Sequence, residues 1–215
     1  MSLRLYYHPL SSFCQKVLVA LYESGTPFEP SIVNLMDPAE RAEFVKLWPI
    51  GKFPVVRDEA KDLTIPESSM IIEHLALNHS GAARLVPADA QLAWQTRAQD
   101  RFYDLYVEEP MQKIVGDRWR PAEHCDPFGV EQARGQLRAA YDLADRDMQN
   151  KTWAVGDIFT MADCGAAPAL FYANMVEPFG EARPNLAAYY KRLMERPSFA
   201  RVADEAKPYL HLMPK

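Results

Sequence analysis

Residues 3–7 (LRLYY) open the chain with the alternating pattern of a half-buried strand. The period then changes. Cys14, Val17, Leu18 and Leu21 recur at the i, i+3, i+4, i+7 spacing of a helix's buried stripe, which predicts a helix over 12–24 stopped by Gly25. A second strand is expected over 28–35. A helix over 37–47 follows, with Asp37 as N-cap and Pro38 at its first position. Two antiparallel strands, 53–58 and 63–65, and a helix over 67–79 complete a βαβαββα order. Gly, small residues and Pro over 80–88 (SGAARLVPA) break the pattern. Beyond residue 89 strand signals cease. Helices are expected at 89–116, bent at Pro110, and at 128–149, 160–177, 184–195 and 198–206. The fold class that follows is an α/β unit with a mixed sheet (1–80), a linker (81–88) and an all-α unit (89–215).

Composition narrows the partners. The 215 residues are 48% hydrophobic and 25% charged, an ordinary globular balance, and a net charge of -5 points away from nucleic acid. No stretch is apolar for long enough to span a membrane, and the amino terminus turns polar too early for a secretion signal. Cys14, Cys125 and Cys164 lie far apart and lack metal-ligand spacing, so no metal and a reducing cytoplasm are expected.

Three segments carry candidate chemistry. In WPIGKFPVV (48–56), a Phe53-Pro54 pair precedes an apolar strand. A cis bond there would leave the backbone of Phe53 free to pair with an extended peptide; a trans proline at a sheet edge is the alternative. In IPESSMIIEHL (65–75), Pro66 precedes Glu67, Ser68 and Ser69 at a helix start. Unpaired amides and small hydroxyls there suit a carboxylate, and Glu67 suits an ammonium; together they fit an α-amino-acid head group, while simple helix capping is the bland reading.

The third segment is YYHPLSSFCQKVLVAL (6–21), where Ser11 and Ser12 stand between strand and helix. A serine is no base near neutrality, but it can donate a hydrogen bond to a thiolate. A free thiol has a pKa of about 8.5, and lowering it by roughly two pH units requires about 2.7 kcal/mol. One hydroxyl donor to a charged group supplies about 1.5–3 kcal/mol, and a helix amino terminus about 0.3–1 kcal/mol. Together they suffice. Capping of the helix is the competing role for both serines. Tyr7 is a rival donor at the end of the first strand. Cys14 completes an S-x-x-C variant of a redox motif, yet its helical phase puts it on the buried stripe. Downstream, Thr160-Met-Ala-Asp163 has the spacing of a capping box.

Taken in order, P-x-S-x-x-C-x-K-V, G-K-x-P-V, P-E-S and G-D-x-x-T-x-A-D resemble the cytosolic glutathione transferase family, over essentially the whole chain. The resemblance implies a thioredoxin-like first unit that binds glutathione as co-substrate and a helical second unit. Counting back from Lys16 places the family's activating side chain at Ser11; counting forward from the strand gives Ser12, and the tyrosine-type classes would use Tyr7. The family's cis-proline matches Pro54. Phe53 would then pair with the cysteinyl part of glutathione, Glu67 and Ser68 with its γ-glutamyl head, and Lys52 would face the glycine carboxylate. Trp48 departs from the Asn common there, and SSFCQKV departs from the run typical of the maleyl-isomerase branch.

The implied activity is conjugation of glutathione, as its thiolate, to a hydrophobic electrophile. Leu10, Phe13, Tyr103, Tyr106, Met111, Trp119 and Phe171 are candidates for the apolar pocket. A homodimer without nucleic-acid or membrane partners is expected. The alternatives are a glutathione-dependent thiol–disulfide oxidoreductase or lyase using Cys14, and a non-catalytic binding module on the same fold.

Overall fold

The computed structural model describes residues 3–214. β1 (Leu3–Tyr7) leads through α1 (Ser12–Ser24) into β2 (Glu29–Ile32), which runs parallel to it. After α2 (Pro38–Leu47), β3 (Val55–Asp58) and β4 (Leu63–Pro66) form an antiparallel hairpin, followed by α3 (Ser68–Asn78). The sheet order is β2-β1-β3-β4, with β1 antiparallel to β3 and Leu5 opposite Val56. Alternation along β1 sends Leu3, Leu5 and Tyr7 into the core formed with α1 and α3. The opposite face is smaller and is covered by α2, where Phe44 packs with Val33, Val55 and Tyr6.

Two strands are shorter than the sequence pattern suggests. Only Glu29–Ile32 pairs at the β2 edge, where Pro30 is tolerated. β3 begins at Val55 because Pro54 before it has no amide hydrogen for the ladder. Residues 80–85 are not a plain connector. Ser80–Leu85 forms a 3₁₀ turn with Ala82 and Leu85 buried. A Cβ on Gly81 would lie 2.1 Å from the carbonyl oxygen of Ser24, so the turn closes on the end of α1 only with glycine there.

The remaining chain is helical. The single bent helix expected over 89–116 is α4 (Ala90–Phe102), a π-helical turn (Tyr103–Glu108) and α5 (Glu109–Asp117). Pro110 has no N–H for the carbonyl of Tyr106, and the Glu109 N–H reaches back to Asp104 O, one residue beyond the α-helical partner. α6 (Pro127–Asp147), α7 (Met161–Val176), α8 (Pro184–Met194) and α9 (Pro197–Ala206) follow. α7 is almost wholly buried and packs against α1, α4 and the π turn. At its start the Thr160 N–H donates to Asp163 Oδ2 at 2.8 Å. Asp163 Oδ1 accepts from Ala154 N–H at 2.8 Å and from the Tyr189 hydroxyl at 2.6 Å. No helix among the described residues is long and apolar enough to cross a membrane.

Candidate active site

α1 is the element on which the site is built. It lies between α3, α7 and α9, so even Lys16 is fully buried. Its ammonium lies 2.7 Å from Asp100 Oδ1, 2.9 Å from Asp104 Oδ1 and 2.9 Å from Ser69 Oγ. Burial alone would lower the Lys16 pKa, but Asp100 and Asp104 outweigh it and hold it above the ordinary lysine value. Ser69 Oγ in turn donates to Asp100 Oδ2 at 2.6 Å. One buried cation thus ties together α1, the start of α3 and the end of α4.

Above this network lies a cleft of about 550 Å³ between the α/β half and the helical half. From the first half it is lined by Phe13, Lys52, Phe53, Pro54, Glu67 and Ser68, and from the second by Arg101, Asp104, Leu105 and Gln112. The Phe53–Pro54 peptide is cis. Glu67 has φ of 68° and ψ of 118°, a conformation a non-glycine residue holds only at a cost, and its side chain makes no cap bond to α3. Its carboxylate is therefore available to the cleft. Ser68, Ser69 and Met70, the first residues of α3, line the same cleft, and the first amides of a helix have no intrahelical partners.

A second, more apolar cleft of about 360 Å³ meets the first at Gln112. Leu10, Ser11, Ser12, Met111, Val115 and Tyr172 line it, and Met213 covers one side. The two serines differ in what holds them. Ser11 caps α1: its Oγ accepts from the Cys14 N–H at 3.4 Å, and among the described residues no oxygen or nitrogen acceptor takes its hydrogen. Ser12 is buried, and its hydroxyl donates to Glu108 Oε1.

The other candidates are placed elsewhere. Tyr7 is 8% exposed and lines neither cleft; burial raises its pKa, and Glu205, Tyr209 and Cys14 add to the rise. Cys14 is completely buried, and its thiol is pushed up to about 12 mainly by burial, so it forms no nucleophilic thiolate near neutrality. Of the apolar-pocket candidates, Leu10, Phe13 and Met111 line the clefts. Tyr103 is in the core against Tyr189, and Phe171 packs on Tyr172 and Phe199. Tyr106 faces an outer groove between the π turn and α6, and Trp119 is exposed in the turn after α5. Gln112, Val115, Tyr172 and Met213 were not anticipated. A polar helix position, an ordinary core tyrosine and a residue near the chain end carry no periodic signal for a pocket.

A mixed four-stranded sheet carrying a cis-proline at the mouth of a cleft, followed by a helical bundle, is the thioredoxin-like plus all-α architecture. Models of two parts of one family match the chain: the glutathione S-transferase N-terminal domain over residues 5–83 and the C-terminal domain over residues 122–197. Glutathione S-transferase GstB of Escherichia coli K12 is 26% identical over 193 residues, covering 89% of this chain and 93% of that protein. The glutathione S-transferase of Methylobacterium radiotolerans, solved in complex with glutathione sulfonate, is 27% identical with a TM-score of 0.82, and 94% of each chain is covered. The glutathione S-transferase of Methylobacillus flagellatus, solved with glutathione bound, has the same fold at a TM-score of 0.84 and 24% identity, covering 93% of this chain and 98% of that one. The chain belongs to the glutathione S-transferase family.

Proposed function

We propose that this protein is a glutathione transferase that binds the tripeptide in the larger cleft and conjugates its thiolate to an electrophile held in the apolar one. The γ-glutamyl carboxylate meets the unpaired amides at the start of α3, and its ammonium meets Glu67. The cysteinyl backbone pairs with Phe53, and Lys52 faces the glycine carboxylate. Ser11 donates to the sulfur. What carries this reading is the place of Ser11 at the amino terminus of α1, lining the apolar cleft, with its hydroxyl donated to no oxygen or nitrogen among the described residues and only the buried Cys14 thiol beside it. The Ser12 hydroxyl is already donated to Glu108, so Ser11 is the better donor of the pair. The domain division 1–80, 81–88 and 89–215, a homodimer and a cytoplasmic location belong to the same proposal.

Ser11→Ala tests it. Loss of one hydroxyl donor to a thiolate is worth about 1.5–3 kcal/mol, a roughly ten- to hundredfold fall in kcat/KM for a reactive aryl halide, with retention on immobilised glutathione preserved. Unchanged kcat/KM would assign the role to another donor.

A further inference from the structure

The mechanism so far leaves one buried acid without a task. Glu108 closes the π turn and is 2% exposed. Its Oε1 accepts from the Ser12 hydroxyl and from Gln112 Nε2 at 3.0 Å, and both donors line the apolar cleft. Its Oε2 is buried with no hydrogen-bond partner among the described residues. A carboxylate that serves only packing or rigidity has its lone pairs filled; this one keeps room for a proton.

We propose that Glu108, acting through Ser12, takes up the proton that the glutathione thiol loses on binding. This rests on the glutathione-transferase reading above. As the S–H bond breaks, the proton passes to Ser12 Oγ while the hydrogen of Ser12 passes to the Glu108 carboxylate. The products are a thiolate, a neutral serine and a neutral carboxylic acid; the negative charge has moved from Glu108 to sulfur. Glu108 then donates to Ser12 Oγ, which turns the hydrogen of Ser12 toward the sulfur beside that of Ser11. Without the transfer, a thiolate would be created next to a buried carboxylate of the same sign.

The surroundings suit this exchange. Burial pushes the Glu108 carboxyl up to about 7 against the pull of its bonds from Ser12 and Gln112. Of the other titratable groups facing it, Asp104 adds to the rise and Lys16 on α1 opposes it, and those two are paired with each other. The Tyr172 phenol on α7 is held protonated well above its ordinary range, mainly by burial, and already accepts from Gln15 Nε2 at 2.9 Å. Gln112, which donates Nε2–H to Glu108, is a neutral amide that takes up no proton near neutrality. Among these groups Glu108 is the one able to receive a proton near neutral pH.

The test counts protons. Glutathione is titrated into the intact enzyme slightly above neutral pH, in two buffers of different ionisation enthalpy, while ultraviolet absorbance reports the thiolate. The relay predicts a thiolate with well under one proton released to buffer, and less as the pH rises and more of Glu108 starts ionised. In Glu108→Gln and in Ser12→Ala the ratio rises to about one proton per thiolate, because the internal acceptor is gone or disconnected. Binding heat without a thiolate band in the unaltered enzyme, or with about one proton released per thiolate, overturns the relay. Absence of any binding heat overturns the glutathione reading and the relay with it. A variant that fails to fold does not rescue the proposal, since the measurement on the unaltered protein decides it.

Discussion

The ammonium of Lys16 lies 2.9 Å from both carboxylate oxygens of Asp104, with all three atoms inside the protein. Asp104 lines the larger cleft, so the charge network under the fold is also the floor of the proposed glutathione site. Lys16→Met leaves Asp100 and Asp104 buried and uncompensated. Removing one partner of a buried ion pair costs about 3–5 kcal/mol. We expect that loss in urea unfolding and a raised KM for glutathione, because Ser69 at the start of α3 loses its donor. A loss below about 1 kcal/mol would show that the two carboxylates are solvated or protonated without lysine.

A second network joins α1 to α9. Glu23 accepts from Arg196 Nε and Nη2 at 2.7 Å each, from Ser198 Oγ at 2.6 Å, and from Arg84 Nη2 at 3.0 Å. Burial opposes ionisation, but the Arg196 and Ser198 bonds and the nearby guanidinium charges prevail, and the Glu23 pKa is lowered. A lowered folded-state pKa contributes stability that is present above the ordinary glutamate pKa of about 4.3 and is lost as pH falls through the folded value. Glu23→Gln removes that contribution, so its stability falls less steeply on acidification. Parallel acid limbs for the two proteins, by unfolding midpoint against pH, would assign the acid sensitivity to other groups.

How much of this was legible beforehand follows from where local pattern decides the structure. The element order of the sheet half was legible, with two strands shorter than expected, since caps such as Asp37 and the alternation of β1 are local signals. Glu67, Ser68 and the cis Phe53–Pro54 turn line one cleft, and they were legible as a group because they are contiguous and open elements. Of the apolar-pocket candidates only Leu10, Phe13 and Met111 line the clefts. The walls of the apolar cleft lie largely on α5 and α7, and the π turn over Tyr103–Glu108 takes more residues per turn than 3.6, which shifts the faces that follow out of the α-helical phase. Tyr103 therefore faces the core and Tyr106 the outer groove, where uninterrupted periodicity would have placed them otherwise. Asp100, Asp104 and Glu108 recur every four residues, an acidic stripe present in the sequence that the structure buries.

Cys14 separates the transferase chemistry from its redox rival. The thiol is enclosed in the core with Val17, Leu18 and Leu21, and its pKa of about 12 leaves no thiolate at neutral pH. Cys14→Ala should keep its conjugating kcat/KM and cost about 1 kcal/mol through the small cavity it leaves. Thiol–disulfide exchange activity that is present in the parent protein and abolished in the variant would reverse this assignment.

Glu67 sets stability against function. Its φ of 68° is a conformation that costs a non-glycine residue about 1–3 kcal/mol, while glycine at the same position adds only about 0.5–1 kcal/mol of unfolded-state entropy. The difference favours Glu67→Gly by about 1 kcal/mol, readable as a higher denaturant midpoint. The same substitution deletes the carboxylate proposed to hold the γ-glutamyl ammonium, a charge-assisted bond worth about 1.5–3 kcal/mol, so glutathione should bind at least tenfold more weakly. Glu67→Gln keeps the backbone strain and loses only the charge, and it should weaken binding without raising the midpoint. If Glu67→Gly binds glutathione as tightly as the parent does, the carboxylate is no part of the head-group site and the strained turn serves the fold alone.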